Sequence, residues 1–483
     1  MNYKIVLRMQ GRILIITAAA MTPSLLISFL YDDGAQLSFI LSIAIILAVG
    51  IAFALSFRQK DSVMRPREGF IIVALSWVLL SLFGALPAFI SGAIPNYIDA
   101  LFENTAGFST TGATILSTIE NVPEGIVFWR TFTQWLGGMG VLILTIAILP
   151  AGDRGAQNLM WAELPGPSSE RIVPRVRKSV IILYSIYVAL TLIQAVMLLF
   201  GGMSLYEALI HALATAGTGG FSSRDLNIGA FNSDYIEYVV SVFMLLFAIN
   251  YSLYYAIIAR RFIRLRKSTE LKVFFMIIVV SSALIALNLM MNNYYDSVET
   301  TVRHSVFHVI SMSSSTGYST VDYNLWPEFS RIMLMILMSV GACAGSTGGG
   351  LKVIRVTILF KSAVRELKKI IHPRSVNIVH IDGQPVQDKT LTGILHYFIV
   401  YVLILIVAIL FVSLDNMGTE TTITSVIAMI SNLGPGFGAV GPRFNYSGYS
   451  YLSKIVLSVT MLVGRLEIYP ILMLVMPSSW KKT

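Results

Sequence analysis

The sequence predicts an all-α integral membrane protein: four pseudo-repeats of helix, re-entrant pore loop and helix around one pore, preceded by a two-helix N-terminal unit. Three observations predict it. Of 483 residues, 55% are hydrophobic and only 13% charged, and apolar runs of about 20 residues recur along the chain. Basic residues collect in every second connecting segment. Four shorter apolar segments, each lying between two full-length ones, run into similar glycine-containing loops.

Full-length apolar segments fall near 12–30, 36–57, 69–91, 126–149, 178–201, 234–262, 272–292, 328–359, 390–414 and 450–476. One set of flanks carries Lys4, Arg8 and Arg12, then Arg58 to Arg67, Arg171 to Lys178, Arg260 to Lys267, Lys361 to Arg374, and finally Lys481 and Lys482. The other set holds Asp32, Asp33, Glu120, Glu124, Asp225, Asp296 and Glu299, with few bases. The positive-inside rule then predicts that both termini are cytoplasmic. No small-residue cleavage site follows the first basic cluster, so the first span is expected to be retained. The single cysteine, Cys343, excludes an intrachain disulfide framework.

The four short segments lie near 97–109, 204–217, 300–314 and 420–432. At ~1.5 Å per residue none of them crosses ~30 Å of hydrocarbon. Each is expected to enter from outside and return through non-helical chain, which is tolerated only where it lines water or is buried in protein. The ends read "STTGATI" (109–115), "GTGGFSS" (217–223), "SSTGYST" (314–320) and "LGPGFGA" (433–439). A shared glycine aligns at Gly112, Gly220, Gly317 and Gly436, with Gly434 an alternative in the fourth loop. The repeats divide the chain into 1–60, 61–150, 151–265, 266–375 and 376–483.

Ion dehydration explains such a loop. A bare potassium ion needs oxygens in place of its water, and successive backbone carbonyls supply them. Glycine reaches left-handed conformations without a steric penalty. The candidate ion-binding residues are Thr110, Thr111 and Gly112; Thr218, Gly219 and Gly220; Ser315, Thr316 and Gly317; and Gly434, Pro435 and Gly436. Each loop supplies a quarter of a ring, and the C-terminal ends of the short helices present partial negative charge to it. Taken singly, the same glycines would also serve as packing residues in tight turns.

Two anomalies lie deeper. The run Gly345-Ser346-Thr347-Gly348-Gly349-Gly350-Leu351-Lys352 nearly matches a phosphate-binding loop, but Lys352 is one residue late and no Ser or Thr follows it. Gly345 is about 16 residues into its span, roughly 24 Å along a helix. Glycines at that depth break a helix, and the nearest water is a pore below the third loop. An obstructing intramembrane loop or a close-packed Gly-x-x-x-Gly seam both fit. Arg465, near mid-depth in the last span, needs a cavity or a partner; it either faces the pathway and binds the loop's carbonyls or forms an interhelical ion pair. Glu467, two residues on, points elsewhere on a helix. Quieter features are Glu103, Asp225 and Asp322 at the outer mouth, which either gather cations or are ordinary solvated acids. His211 and His308 are expected to be structural. The basic 361–374 stretch suits a cytoplasmic partner, membrane lipid or plain charge bias.

The four loops, the 345–350 glycine run and "GRLE" (Gly464 to Glu467) resemble the Trk/Ktr/HKT superfamily of potassium uptake proteins over essentially the whole chain. The N-terminal two-helix unit makes the chain similar to bacterial Trk-type membrane subunits. The resemblance implies potassium as the transported ion, with no organic cofactor in this chain. It implies a homodimer with one pore per protomer in the bacterial cytoplasmic membrane, and a TrkA-like cytoplasmic nucleotide-binding subunit. No nucleic-acid partner is implied. It also makes 345–350 the gate, with which Arg465 is grouped on its depth alone, and Gly112, where sodium-preferring relatives carry serine, a mark of potassium preference. Pro435 departs from the family pattern. The expected function is potassium uptake through a gated pore driven by membrane potential, worth about 2.3 kcal/mol per charge per 100 mV. A proton- or sodium-coupled symporter is the alternative, and it requires titratable groups within the spans. No constellation of catalytic residues points to an enzyme.

Overall fold

The computed structural model describes residues 1–57, 65–140, 176–375 and 377–481. Most of it is helical. The chain opens with Tyr3–Ala20 and Thr22–Tyr31, which form one span, and returns through Gln36–Ser56. These two spans pack through glycine: a β-carbon at Gly11 would run into the backbone of Gly50 and Ala54. Gln10 fastens the pair to the next helix by donating to the Ile72 carbonyl (3.0 Å) and accepting from Ser76 Oγ (2.9 Å).

The same order of elements then occurs four times. The first helices are Pro66–Gly84 continued by Leu86–Ile90, then Val176–Phe200, Thr269–Met291 and Asp388–Val412. Each is long and apolar enough to cross a membrane, and Leu192, Val279, Leu403 and Leu410 leave apolar side chains exposed on them. The short helices are Tyr97–Phe108, Leu205–Gly217, Val298–Ser313 and Thr419–Ile430, of 12, 13, 16 and 12 residues. Their later turns are buried on all sides, which is where a helix too short to span must sit. The second helices are Glu124–Met139, Asp234–Ala248, Glu328–Val340 and Tyr451–Arg465.

Full-length apolar second segments are expected over 126–149, 234–262, 328–359 and 450–476, with a break only at 345–350, giving ten spans. Among the described residues, six helices qualify by length and composition, or seven if the bent pair Asp234–Ala248 and Tyr251–Ile258 is one span. The difference lies wholly in the second helices, each of which stops in mid-course. The first ends at Met139 with Gly140 left-handed (φ 85°); its expected continuation lies outside the described residues. The next turns by 92° where the Asn250 side chain caps the Ser252 N–H (2.8 Å) and starts a new helix. Beyond Val340 the chain leaves the helix at Gly341 (φ 73°) and resumes at Val353–Ile371. The last stops at Arg465, and Glu467 and Ile468 adopt positive φ before Tyr469–Val475 begins with Pro470. A two-stranded hairpin, His380–Ile381 paired with Gln384–Pro385, follows the third of these broken helices.

Candidate ion-binding ring and intramembrane loop

Each short helix ends in the same hydrogen-bonded turn. The N–H of Thr111 reaches the Ala106 carbonyl (2.9 Å), that of Gly219 reaches Ala214 (2.9 Å), Thr316 reaches Ser311 (3.0 Å) and Leu433 reaches Ala428 (2.9 Å). The preceding N–H groups, on Thr110, Thr218, Ser315 and Asn432, bond three residues back. This paired pattern is a Schellman end, which requires a left-handed residue. That residue is Thr110 (φ 57°), Thr218 (53°), Ser315 (57°) or Asn432 (51°), and two positions on lies a left-handed glycine: Gly112 (78°), Gly220 (72°), Gly317 (78°) or Gly434 (94°). Outside glycine this conformation costs about 1 kcal/mol or more, so its fourfold recurrence reflects a common constraint.

The fourth loop therefore aligns on Gly434, the alternative register, two residues before Gly436. Asn432, Leu433 and Gly434 occupy the positions assigned to Gly434, Pro435 and Gly436. The reason is conformational: Asn is among the few non-glycine residues that readily enter the left-handed region. Gly436 is tied up elsewhere, its N–H donating to the Val440 carbonyl (2.8 Å) and its own carbonyl accepting from Tyr323 Oη (3.2 Å).

The four glycines close a ring. A β-carbon at Gly112 would collide with the carbonyl oxygen of Gly219, one at Gly220 with that of Thr316, one at Gly317 with that of Leu433, and one at Gly434 with that of Thr111. Each loop thus presses its glycine against the middle carbonyl of the next, in chain order, and the fourth meets the first. Gly112, Gly220, Gly317 and Gly434 line one cleft of about 180 Å³.

Neutral side chains pin the seams. Gln134 donates to the Gly219 carbonyl (2.8 Å) and accepts from the Phe221 N–H (3.2 Å). Tyr318 Oη donates to the Phe221 carbonyl (3.3 Å), Tyr446 Oη to that of Gly434 (2.8 Å), and Asn432 Nδ2 to Thr111 Oγ1 (3.0 Å). Nine residues before Gly112 and Gly220 sits a side chain that braces the returning chain. Glu103, far from being a solvated acid, is buried, ion-paired with Arg130, and accepts from Thr114 Oγ1 (2.9 Å) and the Ile115 N–H (2.8 Å). His211 bonds Ser222 Oγ (2.9 Å) in the same place, and His308 is buried with Nδ1 against the His304 carbonyl (2.8 Å). Asp225 and Asp322 cap backbone N–H groups of Ile119 and Asn324.

Directly beside the ring runs the 341–352 loop. A β-carbon at Gly348 would crowd the Ser314 carbonyl, and one at Gly349 the Ser431 carbonyl, so this loop lies against the ends of the third and fourth short helices. Ser315 Oγ accepts the Gly349 N–H (2.5 Å). Gly345 accepts from the Tyr251 N–H (3.0 Å), Cys343 N–H donates to Ala248 (3.2 Å), and Thr347 Oγ1 donates to Phe247 (3.2 Å). Ser346 closes on the Cys343 carbonyl (2.6 Å), and Gly350 turns the exit with φ 80°. The Lys352 ammonium folds back on the Gly348 carbonyl, so the lysine stabilises its own loop instead of reaching for a phosphate. Arg465 donates to the carbonyls of Thr347 (2.7 Å), Gly137 (2.5 Å) and Gly138 (2.6 Å). It thereby bridges the loop to the first repeat, while Glu467 pairs with Arg355.

The sequence draws attention to most of these loop residues but not to Asn432, Gln134, Tyr318 or Tyr446, and to Lys352 only as part of a failed phosphate-loop match. Only Asn432 carries a local signal, an Asn-x-Gly that matches Thr-x-Gly in the first loop.

The chain matches the family model described as "TrkH: Cation transport protein" over residues 36–482. It is 35% identical, over all of both chains, to the Trk system potassium uptake protein TrkH of Salmonella typhimurium. It is 31% identical to the Trk system potassium uptake protein TrkG of Escherichia coli, with 99% of each chain covered. The crystal structure of the potassium transporter TrkH from Vibrio parahaemolyticus superposes over all of both chains with a TM-score of 0.89 at 32% identity.

Proposed function

The chain belongs to the TrkH family of cation transport proteins, and from that premise we propose that it takes up potassium through the four-loop ring. It is a multi-pass membrane transport protein, not an enzyme. The observation that carries the proposal is the closed circuit of glycine–carbonyl contacts linking Gly112, Gly220, Gly317 and Gly434. A ring of this kind holds main-chain oxygens at fixed spacing around one axis, which is what replacing the water of a bare monovalent cation demands. The coordinating residues are Thr110 to Gly112, Thr218 to Gly220, Ser315 to Gly317 and Asn432 to Gly434.

Residues 345–350 form the gate below the ring, and Arg465 holds it shut. Three charge-assisted bonds to carbonyls keep the loop across the pathway, and the guanidinium adds a repulsive charge there. The basic flanks put the loop side in the cytoplasm and the glycine-lined cleft outside, in the bacterial inner membrane. An interior-negative potential then drives uptake without coupling chemistry. The side chains that bond the ring's own carbonyls are an amide and two phenols, from Gln134, Tyr318 and Tyr446, while Glu103 and His211 are engaged behind it in bracing the returning chain; a symporter requires a titratable group on the ion's path. The names of the relatives point to a multi-subunit system; a homodimer and a nucleotide-binding TrkA-like subunit are the partners proposed.

The test is potassium flux into liposomes with voltage and proton gradient clamped independently. Uptake is expected to follow voltage at zero proton gradient and to favour potassium over sodium. Uptake that stops when the proton gradient alone is removed overturns the conduit reading in favour of symport.

A further inference from the structure

One buried carboxylate has no part in the ring or in the contacts of Arg465. Glu270 begins the third first-helix, Thr269–Met291, and is 8% exposed. A single oxygen, Oε1, accepts the N–H of Ala344 (2.7 Å) and the N–H of Ile354 (3.1 Å). Those donors stand on opposite legs of the 341–352 loop, one inside it and one in the first turn of Val353–Ile371. The carboxylate thus clamps the two legs together. Carboxylate-to-amide bonds are charge-assisted, and an N–H left buried without them carries a desolvation cost.

The neighbouring residue leads to the surface. The Thr269 N–H donates to Asp382 Oδ1 (2.6 Å), and the Asp382 N–H donates back to Thr269 Oγ1 (3.1 Å). Asp382 and Gly383 (φ 54° and 80°) form the left-handed turn of the His380–Pro385 hairpin. The turn is exposed from Asp382 to Pro385. The hairpin's root is anchored to the same downstream leg, because Val379 packs in a small apolar cluster with Ile354 and Ile358, and Lys361 Nζ donates to the His380 carbonyl (2.9 Å). Hairpin, Thr269–Glu270 and loop legs make a closed mechanical circuit running from the basic face to the gate.

We propose that Glu270 is a positioning residue for transport, a latch that keeps the 341–352 loop closed, and that the Asp382 turn is the handle through which displacement of the exposed hairpin releases it. This rests on the reading of 345–350 as the gate. A force on the hairpin first strains the reciprocal Thr269–Asp382 pair, then tilts the N-terminus of Thr269–Met291, then withdraws Oε1 from Ala344 and Ile354.

The experiment is potassium flux through the full-length chain in liposomes, with no second protein added. Glu270→Ala is expected to raise basal flux at least about tenfold, the scale of losing even one charge-assisted bond, with an unchanged potassium-to-sodium ratio. Glu270→Gln, which keeps an acceptor oxygen, is expected to restore most of the low basal flux. Asp382→Ala, at an exposed site, is expected to raise flux less and to add nothing on the Glu270→Ala background. Wild-type flux in both Glu270→Ala and Asp382→Ala overturns the latch, as does full additivity of the two. Should Glu270→Ala fail to fold, wild-type flux in Asp382→Ala overturns the handle by itself. Removing Gly348 to Gly350 separates the readings: no rise there sinks the gate itself, whereas a rise there without one in Glu270→Ala sinks only the latch.

Discussion

The ring and the loop beneath it are both short runs of glycine, serine and threonine, yet they are held in opposite ways. The glycine–carbonyl contact of the ring occurs four times, once per loop, and the tethers at Gln134, Tyr318, Tyr446 and Asn432 are neutral. Among the described residues the loop occurs once, in the third repeat, and beside neutral bonds such as Ser315 to Gly349 it has charged tethers that the ring's carbonyls lack: Arg465, Lys352 and Glu270, with Arg355 and Glu467 paired alongside. The contrast follows from what each must do. A shell for a bare cation needs dipoles of equal strength at fixed spacing, and a full negative charge would hold the ion too tightly to release it. A gate needs few, strong, individually breakable bonds, and one moving element suffices. Ser315 is the junction, since its hydroxyl donates to the Ser314 carbonyl (2.7 Å) while accepting from Gly349 of the loop.

If that division holds, substitutions in the ring change which ion passes and substitutions in the loop's tethers change how much passes. Gly112→Ser is the severest ring test, because the new β-carbon meets the Gly219 carbonyl at a left-handed backbone. The potassium-to-sodium flux ratio is expected to fall at least about tenfold, equivalent to about 1.4 kcal/mol of lost discrimination. An unchanged ratio removes Gly112 from the ion's shell. Arg465→Ala makes the complementary test. Losing its bonds to Thr347, Gly137 and Gly138 is expected to raise basal flux at least about tenfold, since even one bond to a charged group is worth about 1.5–3 kcal/mol, with the ratio unmoved. Reduced flux in that variant assigns the arginine to ion binding and breaks the comparison from the other side.

Legibility in the sequence follows the same division. The ring's motif is local, so "STTGATI", "GTGGFSS" and "SSTGYST" reveal themselves on alignment. The fourth loop misleads because Gly434, Gly436 and Gly438 crowd together, and matching the apolar Val426 to Phe102 selects the wrong glycine. The structure pairs Phe102 with Thr424 instead. Arg465 is visible as an anomaly of depth, but its partner Thr347 lies 118 residues away, and nothing in the chain names it. Gln134 has even less to show, since a glutamine in an apolar helix gains meaning only from a carbonyl 85 residues on. The bend at Ile249 and Asn250 is hidden for another reason: without glycine or proline, the apolar run to Ile258 reads as one helix. Glu103 was visible as an acid near the mouth, yet only folding brings Arg130 against it.

Gln134→Leu sharpens the comparison at intermediate strength. It keeps the volume but leaves the Gly219 carbonyl and the Phe221 N–H without their side-chain partner, on one seam of four. About 1–3 kcal/mol of local destabilisation is expected, read as a flux ratio lowered several-fold with basal flux little changed. A rise in basal flux instead means that this seam also restrains the loop.

The smallest effect belongs to Tyr446→Phe, and it is the most discriminating. The tyrosine is buried, its ring packs on Phe102 and Tyr449, and its N–H donates to the Thr114 carbonyl (2.8 Å). The substitution therefore removes only the hydroxyl bond to the Gly434 carbonyl and leaves the packing intact. One neutral hydrogen bond is worth about 1 kcal/mol, so the flux ratio is expected to fall by no more than about fivefold while basal flux stays at the wild-type level. Because Gly434 presses on Thr111, the same loss is felt at the first loop, across the seam where the ring closes. A ratio that holds while basal flux climbs would show that the fourth seam is under the control of the gate, and the neutral ring and the charged loop would then be one device rather than two.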